Sequence, residues 1–406
     1  MRVLFSSLFL LFTGFLNAQT FEIPAEGFPF YQVLEWKGQG AILLNRDPSL
    51  NQKQVYLTFV ANDGKSSWNE NFSPGGKEFF YISEDGGRYV YFLEHLELKS
   101  GKISFHQLNI AGNIKSNSVS FAAALKKIGD FPPEELTLLD IVTSEKALIY
   151  LFSHTNNGTK KKSTIAITMT HNNFLAYATL VAQNVTGSNK VEDQVSWYMA
   201  GETGESIVYA ARTHAGKDAG WLVKQFSPKG DLQSEFTIKA NKMVFLEHAR
   251  VGFGTRGSAL LKRVEPMEKG TLVVNNGTYY VGGVEMVNNA ANLVTYILKD
   301  NEWVKSASSP VSAYNVKKGL EVGYYPMKEG IGWYVKSTTT EGHFHSYTDA
   351  VGIVSGAINQ QTNNPSRLLT AEFTGKFVAS LATRWLVFAI AQLPSKGAVS
   401  FEYVEK

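Results

Sequence analysis

Three histidines recur at matched places along this chain. His95, His154 and His214 stand four, four and five residues after Tyr91, Tyr150 and Tyr209, and those tyrosines are 59 residues apart both times. Imidazoles that begin equivalent loops on one face of a repeat can converge on one metal ion or anion, because stacked sheets lie about 10 Å apart. These three are the candidate ligand-binding residues. A histidine at a strand end also caps a loop by hydrogen bonding, and Glu94 is the acidic neighbour evident beside them.

A second pair is His343 and His345, separated by Phe344. Alternation puts both imidazoles on one face of any strand there, with Glu341 and Asp349 nearby in sequence. Two ligands at that spacing are compatible with zinc or another divalent ion, and a site needs a third. A divalent metal is therefore the one cofactor left open. Zero cysteines exclude disulfides, thiolate metal sites and a cysteine nucleophile. Lys160, Lys161 and Lys162 read as a solvated hairpin tip, and the loose phosphate-loop pattern from Gly252 to Gly257 reads as an ordinary loop. Neither a Gly-x-Ser-x-Gly elbow nor a His-Glu-x-x-His motif occurs.

The elements that must position these residues are strands. The chain has 406 residues, 44% hydrophobic and 18% charged, with a formal charge of +3. That charge is too slight for a nucleic-acid binder, and the apolar fraction excludes disorder. Residues 1–18 read as a secretory signal peptide: Arg2, an apolar run over 3–16, and a cut after Ala18, with Leu16 larger than ideal at the third position before it. The run falls short of the roughly 20 residues a membrane span needs, and no other is long enough. The mature chain is expected from residue 19 to 406 as a single domain, periplasmic or extracellular.

Residues 79–95 carry the clearest pattern, an apolar strand, Glu84-Asp85-Gly86-Gly87, and a second strand apolar on both faces. Asp-Gly between such strands marks a hairpin, and a two-sided apolar strand must be buried from both sides. Two more strands follow, and the same grammar returns as three strands over 136–169 and four over 195–238. Leu43, Tyr91, Tyr150, Tyr209, Tyr280, Tyr334 and Val378 form one column with steps of 48, 59, 59, 71, 54 and 44 residues. The wide step holds 243–269, expected as an insertion with a short helix. The fold class is all-β, a β-propeller of seven four-stranded blades, with Trp197, Trp221, Trp303, Trp333 and Trp385 filling the layers between blades.

Ser83, Asp85, Gly86 and Arg88 resemble the hairpin of TolB-type propeller repeats in the WD-like superfamily, with Glu84 in place of proline and Gly87 extra. The resemblance implies a propeller and no particular activity. The pattern Ser83-x-Asp85-x-Gly87 also resembles a sialidase Asp-box, with Val90 where the aromatic belongs. The expected function is an exported, non-enzymatic binding protein or scaffold that recognises a protein or glycan partner through loops on one face. The alternative is a metal-dependent polysaccharide lyase or glycoside hydrolase of propeller fold, using the histidines around the channel.

Overall fold

The computed structural model describes residues 19–24, 30–36, 39–46, 55–61, 66–72, 81–84, 88–143, 146–185, 195–213, 219–241, 243–256, 259–288, 290–310, 320–326, 331–337, 342–348, 352–356, 378–381, 384–390 and 398–405, with side chains chiefly between 88 and 308. The chain folds as successive antiparallel meanders of four strands. The first comprises Phe30–Trp36, Gly40–Arg46, Val55–Ala61 and Ser66–Phe72. The second comprises Tyr81–Glu84, Tyr89–Glu97, Lys102–Asn109 and Ile114–Ser120. A connection with the short helix Ala122–Ile128 leads to the third: Thr137–Thr143, Ala147–Asn156, Lys161–Thr170 and Ala176–Val185. The fourth is Trp197–Thr203, Ser206–Thr213, Gly220–Phe226 and Leu232–Lys239.

Segment 243–269 holds a two-stranded hairpin, Glu247–Arg256 with Ala259–Lys269, in place of the expected helix. Gly252 and Gly254 thus lie in a strand and not in a loop. The fifth meander follows as Thr271–Asn275, Thr278–Val287, Ala290–Lys299 and Glu302–Pro310. The sixth is Leu320–Pro326, Ile331–Ser337, Gly342–Thr348 and Gly352–Gly356. The last sheet joins the two ends of the chain: Val378–Leu381, Arg384–Ile390 and Ala398–Glu405 are completed by Gln19–Pro24, with Phe21 opposite Phe401. That edge strand begins at the residue after the expected signal cut.

Strand alternation explains the stacking. In Ala147–Asn156, Leu148, Tyr150 and Phe152 point into a core shared with the second meander, through Tyr91, Phe105 and Phe121. The intervening Ala147, Ile149 and Leu151 point into a core shared with the fourth, through Trp197, Met199 and Tyr209. The pattern repeats one sheet on, where Ile207, Tyr209 and Ala211 face back while Val208 and Ala210 face the fifth meander with Trp221, Leu272 and Val274. A period of two gives each middle strand two apolar faces, and neither can be left to water, so each sheet needs a neighbour on both sides.

The tyrosine column selects the right strand and misses the face. Tyr91, Tyr150, Tyr209 and Tyr280 all lie on second strands and are buried, but Tyr91 and Tyr150 share one core and Tyr209 belongs to the next. One residue of slip moves a side chain to the other face, so sequence spacing alone does not fix orientation. Val378 sits on the first strand of its sheet, and the second strand is Arg384–Ile390.

The first strands of the first and second, of the second and third, and of the fourth and fifth meanders lie beside one another, and the last two touch through a parallel bridge between Gly201 and Val274. The inserted hairpin lies along these inner strands, with Glu247–Arg256 beside Thr137–Thr143 and bridged to Leu320–Pro326 at Ala249 and Glu321. Side by side first strands are the arrangement of a β-propeller.

The bridge at Gly201 depends on the absence of a side chain. Its φ is +140°, and an added Cβ would lie 1.8 Å from the carbonyl oxygen of Val274. One turn of the sheet away, the Tyr198 hydroxyl accepts from the Leu272 N–H at 3.0 Å and donates to its carbonyl at 3.2 Å. Tyr198→Phe leaves both groups of Leu272 short of a partner and should lower stability by about 1–3 kcal/mol. Gly201→Ala should cost more, since the new methyl meets only backbone. Urea denaturation followed by fluorescence checks both, and unchanged midpoints would contradict this contact between first strands.

Candidate functional site

Four antiparallel strands return the chain to the end at which it entered. Each connection between meanders therefore shares an end with the turn joining second and third strands. At the opposite end the described turns run from two to five residues: Gly204-Glu205, Asn276-Gly277 and Asp300-Asn301 each close a hairpin in two, with left-handed φ of 51° at Gly204, 48° at Asn276 and 50° at Asp300, and 171–175 and 227–231 take five. The entry end carries the helix Ala122–Ile128, the tip at 157–160, the end of Ala176–Val185, the approach to Trp197 at 195–196 and the stem of the inserted hairpin. Function on a propeller-type scaffold concentrates in such elaborated loops.

His154 does not begin a loop as expected. It lies inside its strand opposite Ser163, is 3% exposed, and places Nε2 3.0 Å from Glu135 Oε2, with the Phe131 ring edge-on at 5.3 Å. Glu135 belongs to the connection from the second meander, so this histidine ties that segment to the third sheet. His95 falls within a register irregularity between Leu93 and Leu96; its side chain and the whole of His214 lie outside the described residues. His343 and His345 stand opposite Val335 and Trp333 on one strand, in the alternate positions that their spacing predicts, with side chains outside the described residues. Among the described residues no three His, Asp or Glu side chains gather as a metal group.

Two histidines not singled out by the sequence are structural. The Tyr91 hydroxyl is 2.9 Å from His171 Nδ1 with the rings stacked at 5.0 Å, joining the second and third meanders. His106 Nδ1 lies 2.9 Å from the Ser116 hydroxyl.

A small open cleft, with room for little more than a carboxylate, lies at the entry end between the third and fourth meanders. Register builds it. Lys162 and Thr164 share a strand face with Ala166, which is buried toward the fourth meander. Lys162 pairs with Asn184, and a bulge opposite Thr164 turns both Val181 and Ala182 to that side. Val195, Ser196 and Trp197, entering the first strand of the fourth meander, form the facing wall, with Leu139 at the base. Trp197 is 3% exposed, its Nε1 has no hydrogen-bond partner, and the Lys224 ammonium sits 5.3 Å from the centre of its ring. Lys224 is itself paired with Glu235 at 3.6 Å.

The sequence placed Trp197 between sheets, correctly, and placed Lys162 in a solvated tip. Asn156 accepts from the Thr159 N–H and Lys160 has φ of 55°, so the tip turns there and Lys162 is already in the strand. Its alternation with Ala166 was the available signal.

Deeper in the same interface, burial raises the Tyr209 phenol far above its ordinary 10.0, a hydrogen bond with Thr168 pulls it back, and the charge of Glu202 pushes it further up. The folded protein therefore keeps a proton that the unfolded chain loses above about pH 10, so stability present below that pH is lost as pH rises beyond it. Tyr209→Phe should make the alkaline fall shallower by up to ~1.4 kcal/mol per pH unit. Denaturation at a series of alkaline pH values reads the slope; identical slopes would contradict burial of this hydroxyl.

No protein-family profile matches the sequence, and a comparison with curated proteins finds no match. Among solved structures, the chain is similar to the β-propeller domain of the Trilobed protease from Pyrococcus furiosus, at 10% identity over 79% of this chain and 93% of that one, with a TM-score of 0.36. It is similar to a polysaccharide lyase described as an Ulvanlyase, at 9% identity over 86% and 98% of the two chains, with a TM-score of 0.36. For the endo-arabinase from Bacteroides thetaiotaomicron the figures are 9%, 63% and 87%, with a TM-score of 0.29. Superpositions this loose carry no argument about what the present chain does.

Proposed function

We propose that the meanders close into a seven-bladed β-propeller, sealed by Gln19–Pro24 on the last sheet, and that the chain is an exported, non-enzymatic binding protein. It engages a protein or glycan partner through the loops of its entry end. One observation carries this reading: the helix, the lysine tip and the stem of the inserted hairpin emerge at that end, while turns within the described residues at the other end run from two to five residues. Stacked sheets leave little variable surface, and the loops at one end of a rigid scaffold are where recognition can be built. Export rests on the signal-like residues 1–18.

The mature chain applied to glycan and envelope-protein arrays tests the reading. Retention at micromolar concentration should be lost when Lys160, Lys161 and Lys162 are all changed to Ser and kept when Asn276 and Gly277 at the opposite end are exchanged for another two-residue turn. No retention on either array, or loss confined to the opposite-end variant, would contradict it.

A further inference from the structure

We infer that the cleft between the third and fourth meanders is a subsite for the carboxylate of an acidic sugar, and that the lysines beside it extend the contact along an acidic polysaccharide. The inference rests on the binding function proposed above and names its ligand class.

The lining is a set of donors. Lys162 brings an ammonium, Asn184 an amide, and Ser196 and Thr164 hydroxyls, with Leu139, Val195 and Trp197 as the apolar part of the wall. Lys224 lies against the Trp197 ring and adds positive potential behind the indole, tempered by its pairing with Glu235. Hydroxyl and amide groups around a single cation suit a ring that carries one carboxylate and several hydroxyls.

The surroundings fit a chain of such rings. Lys160 and Lys161 are exposed next to the cleft. The helix bearing exposed Lys126 and Lys127 packs against Ala176–Val185, the strand that contributes Asn184. Lys99 and Lys102 flank Gly101, whose carbonyl accepts from the Phe121 N–H at the start of that helix. These exposed lysines run from the second meander across the third to the cleft, interrupted by Asp130, Glu134 and Glu135, the last of which is held by His154. Repeated positive charge with small polar pockets matches a linear polyanion; a folded protein partner would call for a desolvated apolar centre.

Calorimetric titration of the mature protein with oligogalacturonate, with a neutral oligosaccharide of the same length, and with an oligoglutamate of the same charge decides the matter. Oligogalacturonate should bind, and the other two should bind at least about tenfold more weakly. Lys162→Gln and Asn184→Ala should each weaken oligogalacturonate about tenfold or more while leaving the thermal transition in place. Equal binding of the neutral sugar or of oligoglutamate, or indifference to Lys162→Gln and Asn184→Ala, would overturn the acidic-sugar subsite and leave the binding function standing if the arrays retain a partner. Absence of retention on the arrays as well would remove both.

Discussion

A β-strand buried on both faces cannot exist in an isolated four-stranded sheet. That constraint organises the described part of this protein. Leu148, Tyr150 and Phe152 are committed to one neighbour and Ala147, Ile149 and Leu151 to the other, so no sheet is stable until the sheets before and after it are in place. The cross-sheet hydrogen bonds follow the same logic. Tyr91 meets His171, Tyr198 clamps Leu272, and Gln225 donates to the Tyr279 hydroxyl at 2.7 Å. Each gives a buried polar tip a partner on the adjoining sheet, which burial requires.

The same constraint determines where chemistry is available. Side chains on the described middle strands are consumed by packing, and the described histidines are built into that packing as links between segments. What remains for recognition is the end where connections emerge. The cleft at Lys162, Asn184 and Trp197 is the point at which an interface between sheets opens into that end. Its donors are positioned by strand register on one side and by the first residues of a new meander on the other, so they sit on rigid elements even though they open toward loops. The inserted hairpin beside the inner strands is a separate elaboration of the same end.

The strand grammar was legible because it is written in short-range chemistry. Apolar stretches, turn residues such as Asn276-Gly277, and the return of the same order predicted the second and fourth meanders and the first three strands of the third to within a few residues, while Ala176–Val185 went unread. What sequence could not carry was direction. Tyr91 and Tyr209 occupy like strands, yet Tyr91 faces the following sheet and Tyr209 the preceding one, which a count of residues along the chain does not reveal. His154 looked like the start of a loop because the strand's last two residues, Thr155 and Asn156, are polar. Segment 243–269 looked irregular because Gly252 and Gly254 dilute its alternation. The cleft was missed for a related reason: Lys162 reads as the third of three lysines in a tip, although it lies in the strand opposite Asn184 and on the face of the buried Ala166.

Closure of the two chain ends into one sheet is the most direct point of test, because a ring of mutually dependent sheets needs it. The chain has no cysteine, so Phe21→Cys and Phe401→Cys introduce a single pair at opposed positions of the last sheet. Mild oxidation of the folded, mature double variant should give an intramolecular disulfide, seen as faster migration on a non-reducing gel and a higher melting temperature than the reduced form. Thiols that stay free in the folded protein, or that bridge only between molecules, would contradict the closed propeller.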